Sequence, residues 1–207
     1  MSMSRNMRKN GGTKAGIWAL GVLAVGVLAA SCATTDMTNT WTDPNAKQAA
    51  LSNVAVISMT AEPGVRRMAE DTAAAQMKDA HAVPSYQVLS DADLRDREVV
   101  KAKLKEAGFD GVLIMRVTGV SEQVSMVGGP YGSFDAYYNY AGSTLASPGY
   151  LKTDKIVHVL SNLYDLEENK LIWSGVSDTF DPSSTKAFVK DVSKAVAKSL
   201  HKDRLIL

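Results

Sequence analysis

"NVAVISM", Asn53 to Met59, and "GVLIMRV", Gly111 to Val117, are the two stretches that decide the fold. Each is short, rich in Val, Ile and Leu, and apolar at consecutive positions, so a strand made from it is apolar on both faces. Such strands belong in the middle of a sheet that is covered on both sides. Between them lie two segments with helical spacing. Glu62 to Ala80 places Val65, Met68, Ala69, Met77 and Ala80 on one stripe, with Pro63 near its start. "SDADLRDREVVKAKLKEAGFDG", Ser90 to Gly111, carries Leu94, Val100, Leu104 and Ala107, with Ser and Asp as caps and Gly108 as the stop. "VPSYQVL", Val83 to Leu89, separates the helices and can form a strand, its Pro84 near the beginning, where a missing N–H does least harm. Two βα units in succession predict a parallel core, because parallel neighbours need a crossover and a helix supplies it.

Downstream the pattern changes. "KIVHVLSNLYDL" and "KLIWSGVSDTF" lie on either side of a short polar turn, which predicts an antiparallel hairpin. "DPSSTKAFVKDVSKAVAKSL" then predicts a last helix, with Asp181 as cap, Pro182 at the first helical position, and Phe188, Val189, Val192, Val196 and Leu200 on its buried stripe. The expected architecture is an α/β domain over 51–207, with a single mixed sheet and flanking helices in the order β-α-β-α-β-(β)-β-β-α.

The amino-terminal region reads differently. Arg5, Arg8, Lys9 and Lys14 precede "AGIWALGVLAVGVLAA", Ala15 to Ala30, and no acidic residue occurs before Asp36. A bilayer core takes about 20 apolar residues, so this run is short for a span and matches the layout of a secretory signal. Ala29, Ala30 and Ser31 followed by Cys32, the chain's only cysteine, resemble the lipobox of bacterial lipoproteins, although Ala29 stands where Leu is usual. The resemblance implies cleavage after Ser31, a diacylglyceryl group on Cys32, and acylation of the new amino terminus. Ala33, in place of the Asp that marks inner-membrane retention in enteric lipoproteins, implies the periplasmic face of the outer membrane. The expected organisation is a signal peptide over 1–31, a lipidated Cys and polar tether over 32–50 with a short edge strand near Trp41, and the domain beyond.

Charge and motifs narrow the function. Without its four leader bases, the remainder has fewer basic than acidic residues, and the basic stripe that nucleic-acid binding needs is missing. His81, His158 and His201 are far apart and lack Cys partners, so neither a metal nor another cofactor is expected. His158, between Val157 and Val159, reads as a structural histidine with a polar partner. No nucleophile elbow, P-loop or dinucleotide fingerprint follows a strand. Ser183-x-x-Lys186 and Ser199-x-x-Lys202 both match the S-x-x-K of penicillin-recognising enzymes, and that repetition shows how little the pattern means. Asp110, Asp135 and Asp165 have no spacing that specifies a carboxylate pair. A non-enzymatic module is therefore expected.

Two binding features remain. Arg66 and Arg67 either pair with Glu70 and Asp71 at i,i+4 or form an anion site near Pro63–Gly64. "MVGGPYGSFDAYYNYAGSTLASPGY", Met126 to Tyr150, holds Tyr131, Phe134, Tyr137, Tyr138, Tyr140 and Tyr150 among Gly, Ser and Ala. Pliable backbone with large, low-entropy aromatic side chains suits a loop that binds an envelope protein, peptidoglycan or a surface. The other reading is a long hairpin loop whose tyrosines pack on the sheet.

"LSNLYDLEENKLIWSGVSDTF" resembles the C-terminal hairpin of a group of uncharacterised bacterial lipoproteins, through Leu163, Tyr164, Asp165, Lys170, Leu171, Ile172, Trp173 and Ser174. The element order is also similar to the N-terminal domain of the TolB family and to the lipoprotein activators of penicillin-binding proteins. The lipobox resemblance, the missing catalytic motifs and the aromatic loop together lead to the expectation of a membrane-anchored periplasmic binding or adaptor module. An activator of a peptidoglycan synthase and a carboxylate-dependent envelope hydrolase are the alternatives.

Overall fold

The computed structural model describes residues 34–46, 50–127, 134–135, 138 and 150–206. Its strands are β1 (Thr35–Thr42), β2 (Asn53–Ser58), β3 (His81–Pro84), β4 (Gly111–Val127), β5 (Tyr150–Asp165) and β6 (Lys170–Phe180). Its helices are α1 (Pro63–Gln76), α2 (Arg97–Glu106) and α3 (Thr185–Lys202). One mixed sheet runs in the order β1-β6-β5-β4-β2-β3. β2 lies parallel to β3 and β4, and the remaining neighbours are antiparallel. The two doubly apolar runs sit side by side at its centre, as their composition requires.

Each face of β2 and β4 meets a different layer. Val54, Val56, Leu113 and Met115 pack with Val159 and Trp173 against Ala73 of α1, Met77 just past its end, and Val192, Val196 and Leu200 of α3. On the other face, Ala55, Ile57 and Val112 pack against Leu104 of α2 and its flanking Leu89 and Phe109. Asp96 caps α2 by accepting the N–H groups of Glu98 and Val99, and Gly108 ends it in the left-handed region at φ +79°. α2 covers the parallel half of its face and leaves much of the antiparallel half open. There Trp41 is 48% exposed, and Leu160, Ser174, Val176 and Asp178 are half-buried.

Four expectations need correcting. The polar stretch read as a tether with a short edge strand near Trp41 holds a full eight-residue strand: β1 pairs with β6 from Thr35↔Thr179 to Thr42↔Trp173. Met37 packs on the core, the Thr42 hydroxyl donates to Asp203 at 3.0 Å, and Ala46 is buried. Composition hid the length of this strand because an edge strand exposes most of its side chains. Pro84 ends β3 rather than starting it, and β3 is an edge strand, where a missing donor is tolerated. The bracketed extra strand does not form among the described residues; β4 runs on for 17 residues instead. Ser184, not Asp181, caps α3, accepting from the Ala187 N–H at 3.2 Å. Asp181 has φ +41° and closes the β5–β6 ladder through both backbone groups of Lys155.

The hairpin motif has a structural explanation at Asp165, Lys170, Ile172 and Trp173. The Asp165 carboxylate accepts the N–H groups of Glu167 (2.7 Å) and Glu168 (2.9 Å), closing a turn in which Asn169 has φ +55°. Lys170 pairs with Asp43 at the exit of β1, and Ile172 and Trp173 are buried. The motif builds a core corner.

One ion pair gives a pH test. Asp93 accepts from Lys103 Nζ (2.8 Å) and from the Ser90 N–H and hydroxyl (2.7 Å each), joining the turn before α2 to the helix. The Lys103 hydrogen bond, then those of Ser90, lower its carboxyl from 3.8 to about 2. A depressed carboxylate stabilises the fold above its unfolded value and stops doing so as pH falls through the folded one. The stability difference between the parent and Lys103→Ala should therefore be full above 3.8 and vanish as pH falls through about 2, measured by urea unfolding across that range.

Candidate functional site

β2 stops pairing with β4 at Ser58↔Met115, and β6 leaves β5 at Phe180↔Ile156. Past those points β4 and β5 continue, alone among the described residues, as a two-stranded ribbon to Val127↔Tyr150. Val124 on the ribbon is 60% exposed, and Val117 and Val120, which precede it on the same face of β4 where β6 still backs β5, are 48 and 62% exposed. An isolated two-stranded ribbon is at best marginally stable in water, and an exposed apolar strip along one suits a contact surface. Lys152 braces its base through Asp154 and Asp181. β1 starts at the same end of the sheet: Thr35 lies opposite Thr179, and the Phe180 N–H donates to the Thr34 carbonyl at 3.1 Å. The amino-terminal edge of the sheet and the ribbon thus share one end.

Of the residues expected in the aromatic loop, Phe134 and Tyr138 are 77 and 68% exposed, with ring centroids 5.6 Å apart in a stacked arrangement. Tyr150 opens β5 opposite Val127. Tyr131, Tyr137, Tyr140 and Cys32 lie outside the described residues.

At the base of the ribbon, on the open face, three adjacent strands bring together Ser121, His158 and Asp178. His158 Nδ1 lies 2.6 Å from Asp178 Oδ1, and Nε2 lies 2.8 Å from the Ser121 hydroxyl. A carboxylate only accepts, so a neutral imidazole donates from Nδ1 and leaves Nε2 to accept from the serine. The histidine and aspartate side chains are 31 and 20% exposed, and Ser121 is exposed. The expected polar partner of His158 is therefore a pair of partners. Sequence reading missed Ser121 and Asp178 because neither belongs to a local motif; the register of three strands is what joins them.

Arg66 is not an anion site. It is 2% exposed, and Glu70 is fully buried beside it. Arg66 donates from Nε to Glu70 (2.9 Å), from one terminal nitrogen to Asp91, and from the other to the Ser85 hydroxyl (3.0 Å). Glu70 also accepts the N–H groups of Ser58 (3.1 Å) and Tyr86 (3.0 Å) and the Ser85 hydroxyl (2.9 Å). The guanidinium is held by carboxylates, and an incoming anion would have to displace them. Arg67 lies over the Tyr86 ring, 5.7 Å from its centroid, and the Tyr86 hydroxyl donates to Asp71 at 2.6 Å. That hydrogen bond raises the Tyr86 phenol above its ordinary range. The expected contact between Arg67 and Asp71 is thus mediated by a tyrosine.

A cavity of about 80 Å³ lies among Met59, Val65, Ala69, Met115, Val159 and Val189. It is smaller than the roughly 300 Å³ usual for small-molecule sites, whereas open clefts of about 560–590 Å³ lie between β1 and α3, beside Arg66 and Asp91, and along α2. Among the described residues, no group of three His, Cys, Asp or Glu side chains could hold a metal ion, and no helix is long and apolar enough to cross a membrane.

The chain is thus an α/β domain with one open, six-stranded mixed sheet. No family model matches it, and no curated protein matches it by sequence. Solved structures resemble it at the level of fold. One PelC dodecamer from Paraburkholderia phytofirmans is 15% identical, with TM-score 0.43, over 80% of this chain and 96% of that one. A second is 13% identical, with TM-score 0.45, over 84% and 99%. Lipoprotein GNA1162 from Neisseria meningitidis is 17% identical, with TM-score 0.38, over 73% and 99%.

Proposed function

We propose that this protein is a lipid-anchored binding module of the bacterial cell envelope, held at a membrane through Cys32 and touching its partner with the β4–β5 ribbon and the tyrosine-rich loop. The observation that carries this reading is the shared end of the sheet. Only Ala33 and Thr34 separate Cys32 from β1, a reach of about 10 Å. The ribbon leaves from that same end, so an anchor on Cys32 would turn it toward the bilayer. Segment 128–149 carries a single charge, Asp135, and five aromatics. That composition suits the interfacial zone of a membrane or a partner lying against it. Ala33 favours the periplasmic face of the outer membrane by the lipobox resemblance. The short reach argues against an activator working at the opposite membrane, because its partners must lie within the domain's own height.

Intact-mass analysis of the chain purified from bacterial membranes should give a polypeptide beginning at Cys32 with three acyl chains. A photocrosslinker at Val124 should capture an envelope component, whereas one at Lys105, on the exposed end of α2 away from the ribbon, should not. A retained leader, an unmodified thiol, or equal capture from both positions would overturn the proposal.

A further inference from the structure

We propose that Ser121, His158 and Asp178 form an acyl-transfer relay, with Ser121 as nucleophile toward carboxylic esters that carry an apolar acyl group. This goes beyond the binding role and does not depend on the lipid anchor. The two distances, 2.8 Å from serine to imidazole and 2.6 Å from imidazole to carboxylate, meet the geometric requirement for a nucleophile, its base and the group that orients the base. Solvation does not demand the arrangement. The Ser121 hydroxyl is exposed, so water could satisfy it without the histidine. Ser121 is exposed, so an ester can approach it. Ile156, Leu160 and Val176 lie half-buried on the same face and offer an apolar rest for the acyl chain.

The surrounding backbone supplies what a flat sheet usually lacks. Among the described residues β4 has no neighbour on its outer side beyond Met115, so alternate N–H groups of that stretch point away from β5. In the proposed reaction these N–H groups would serve as donors for a developing oxyanion. In the first half-reaction the Ser121 oxygen attacks the carbonyl carbon while His158 Nε2 takes the hydroxyl proton. Collapse of the tetrahedral adduct breaks the bond to the alkoxy group, which leaves as alcohol with the proton from Nε2. Ser121 then carries the acyl group. Water, activated by the same nitrogen, attacks this ester and releases the carboxylic acid, and the proton returns to Ser121. Asp178 holds the ring with Nδ1–H donating and balances the imidazolium charge.

The test treats the full-length chain in mild detergent with an alkyl fluorophosphonate, and separately with p-nitrophenyl butyrate and acetate. A single adduct should map to Ser121, and butyrate should react severalfold faster than acetate. Ser121→Ala should abolish labelling, and His158→Gln should slow it about a hundredfold, the lower end of what a general base contributes. The parent rate should rise with pH through one ionisation that His158→Gln removes. Asp178→Asn should slow labelling less than His158→Gln while leaving the adduct on Ser121. Thermal unfolding confirms that each variant is folded. Labelling spread over lysines and tyrosines, or a Ser121 adduct formed equally fast in folded His158→Gln, would overturn the relay and leave the binding proposal untouched.

Discussion

Glu70→Ala should cost the fold about 3–5 kcal/mol, the usual loss when one partner of a buried ion pair is removed. The carboxylate is fully buried, and four donors converge on it: Arg66 Nε, the Ser85 hydroxyl, and the backbone N–H groups of Ser58 and Tyr86. Alanine leaves all four without an acceptor. It also leaves the 2%-exposed guanidinium with only Asp91, whose side chain is 64% exposed, as counter-charge. These contacts join the end of β2, the body of α1 and the turn after β3, so their loss should loosen the crossover that makes the core parallel. Glu70→Gln should cost less, because its carbonyl oxygen still accepts, although its NH₂ faces donors. Urea unfolding at constant slope measures both. A Glu70→Ala loss below about 1 kcal/mol, within the range of an exposed pair, would show that water reaches this cluster and replaces the missing oxygens. Because Arg66 is already held by carboxylates, added phosphate should not raise the midpoint. A ligand that binds the native state would raise it.

How much of this was legible depended on where each interaction lies along the chain. The doubly apolar runs at Asn53 and Gly111 announced central strands because burial on both faces leaves a mark at every position. The stripe from Phe188 to Leu200 announced α3 in the same way. β1 left only the short edge strand expected near Trp41: Thr35–Thr42 exposes most of its side chains, and its extent and partner rest on backbone pairing with a strand far along the sequence. The Arg66–Glu70 contact was legible as an i,i+4 pair. Its burial was not, since Ser85 and Asp91 come to it from beyond β3. Ser121, His158 and Asp178 follow the same rule. Each is unremarkable alone, and a one-residue slip in either strand pairing would turn a member to the opposite face. The bulge between Val117 and Gly119 brings Ser121 to the face of His158. No local pattern encodes that.

The second large effect falls on Trp173, and the glycine two residues on explains why. The indole is fully buried. A Cβ on Gly175 would lie 2.4 Å from Trp173 Cη2 and 2.6 Å from Met37 Cε, so the ring and the methionine of β1 both press on that backbone. Trp173→Ala should cost about 3–5 kcal/mol through lost burial and the cavity left behind. Trp173→Phe should cost distinctly less. It keeps much of the ring and removes an indole N–H that has no hydrogen-bond partner in the described structure. Gly175→Ala should cost about 1–3 kcal/mol by overpacking. Met37 can swing aside, but a ring enclosed in the core cannot, so the strain arises mainly against the tryptophan. In a Trp173→Ala background the new methyl enters the cavity instead of a wall, and Gly175→Ala should become nearly neutral or mildly stabilising. The coupling read from that double-mutant cycle is then roughly the whole single-mutant penalty. Additive costs would mean that Met37, not Trp173, sets the limit at Gly175. The variants that remove the ring should also open β1 to protease near Met37 before the rest of the sheet unfolds, because Met37 packs on this corner. An anchor at Cys32 would then hold the domain through a loosened strand.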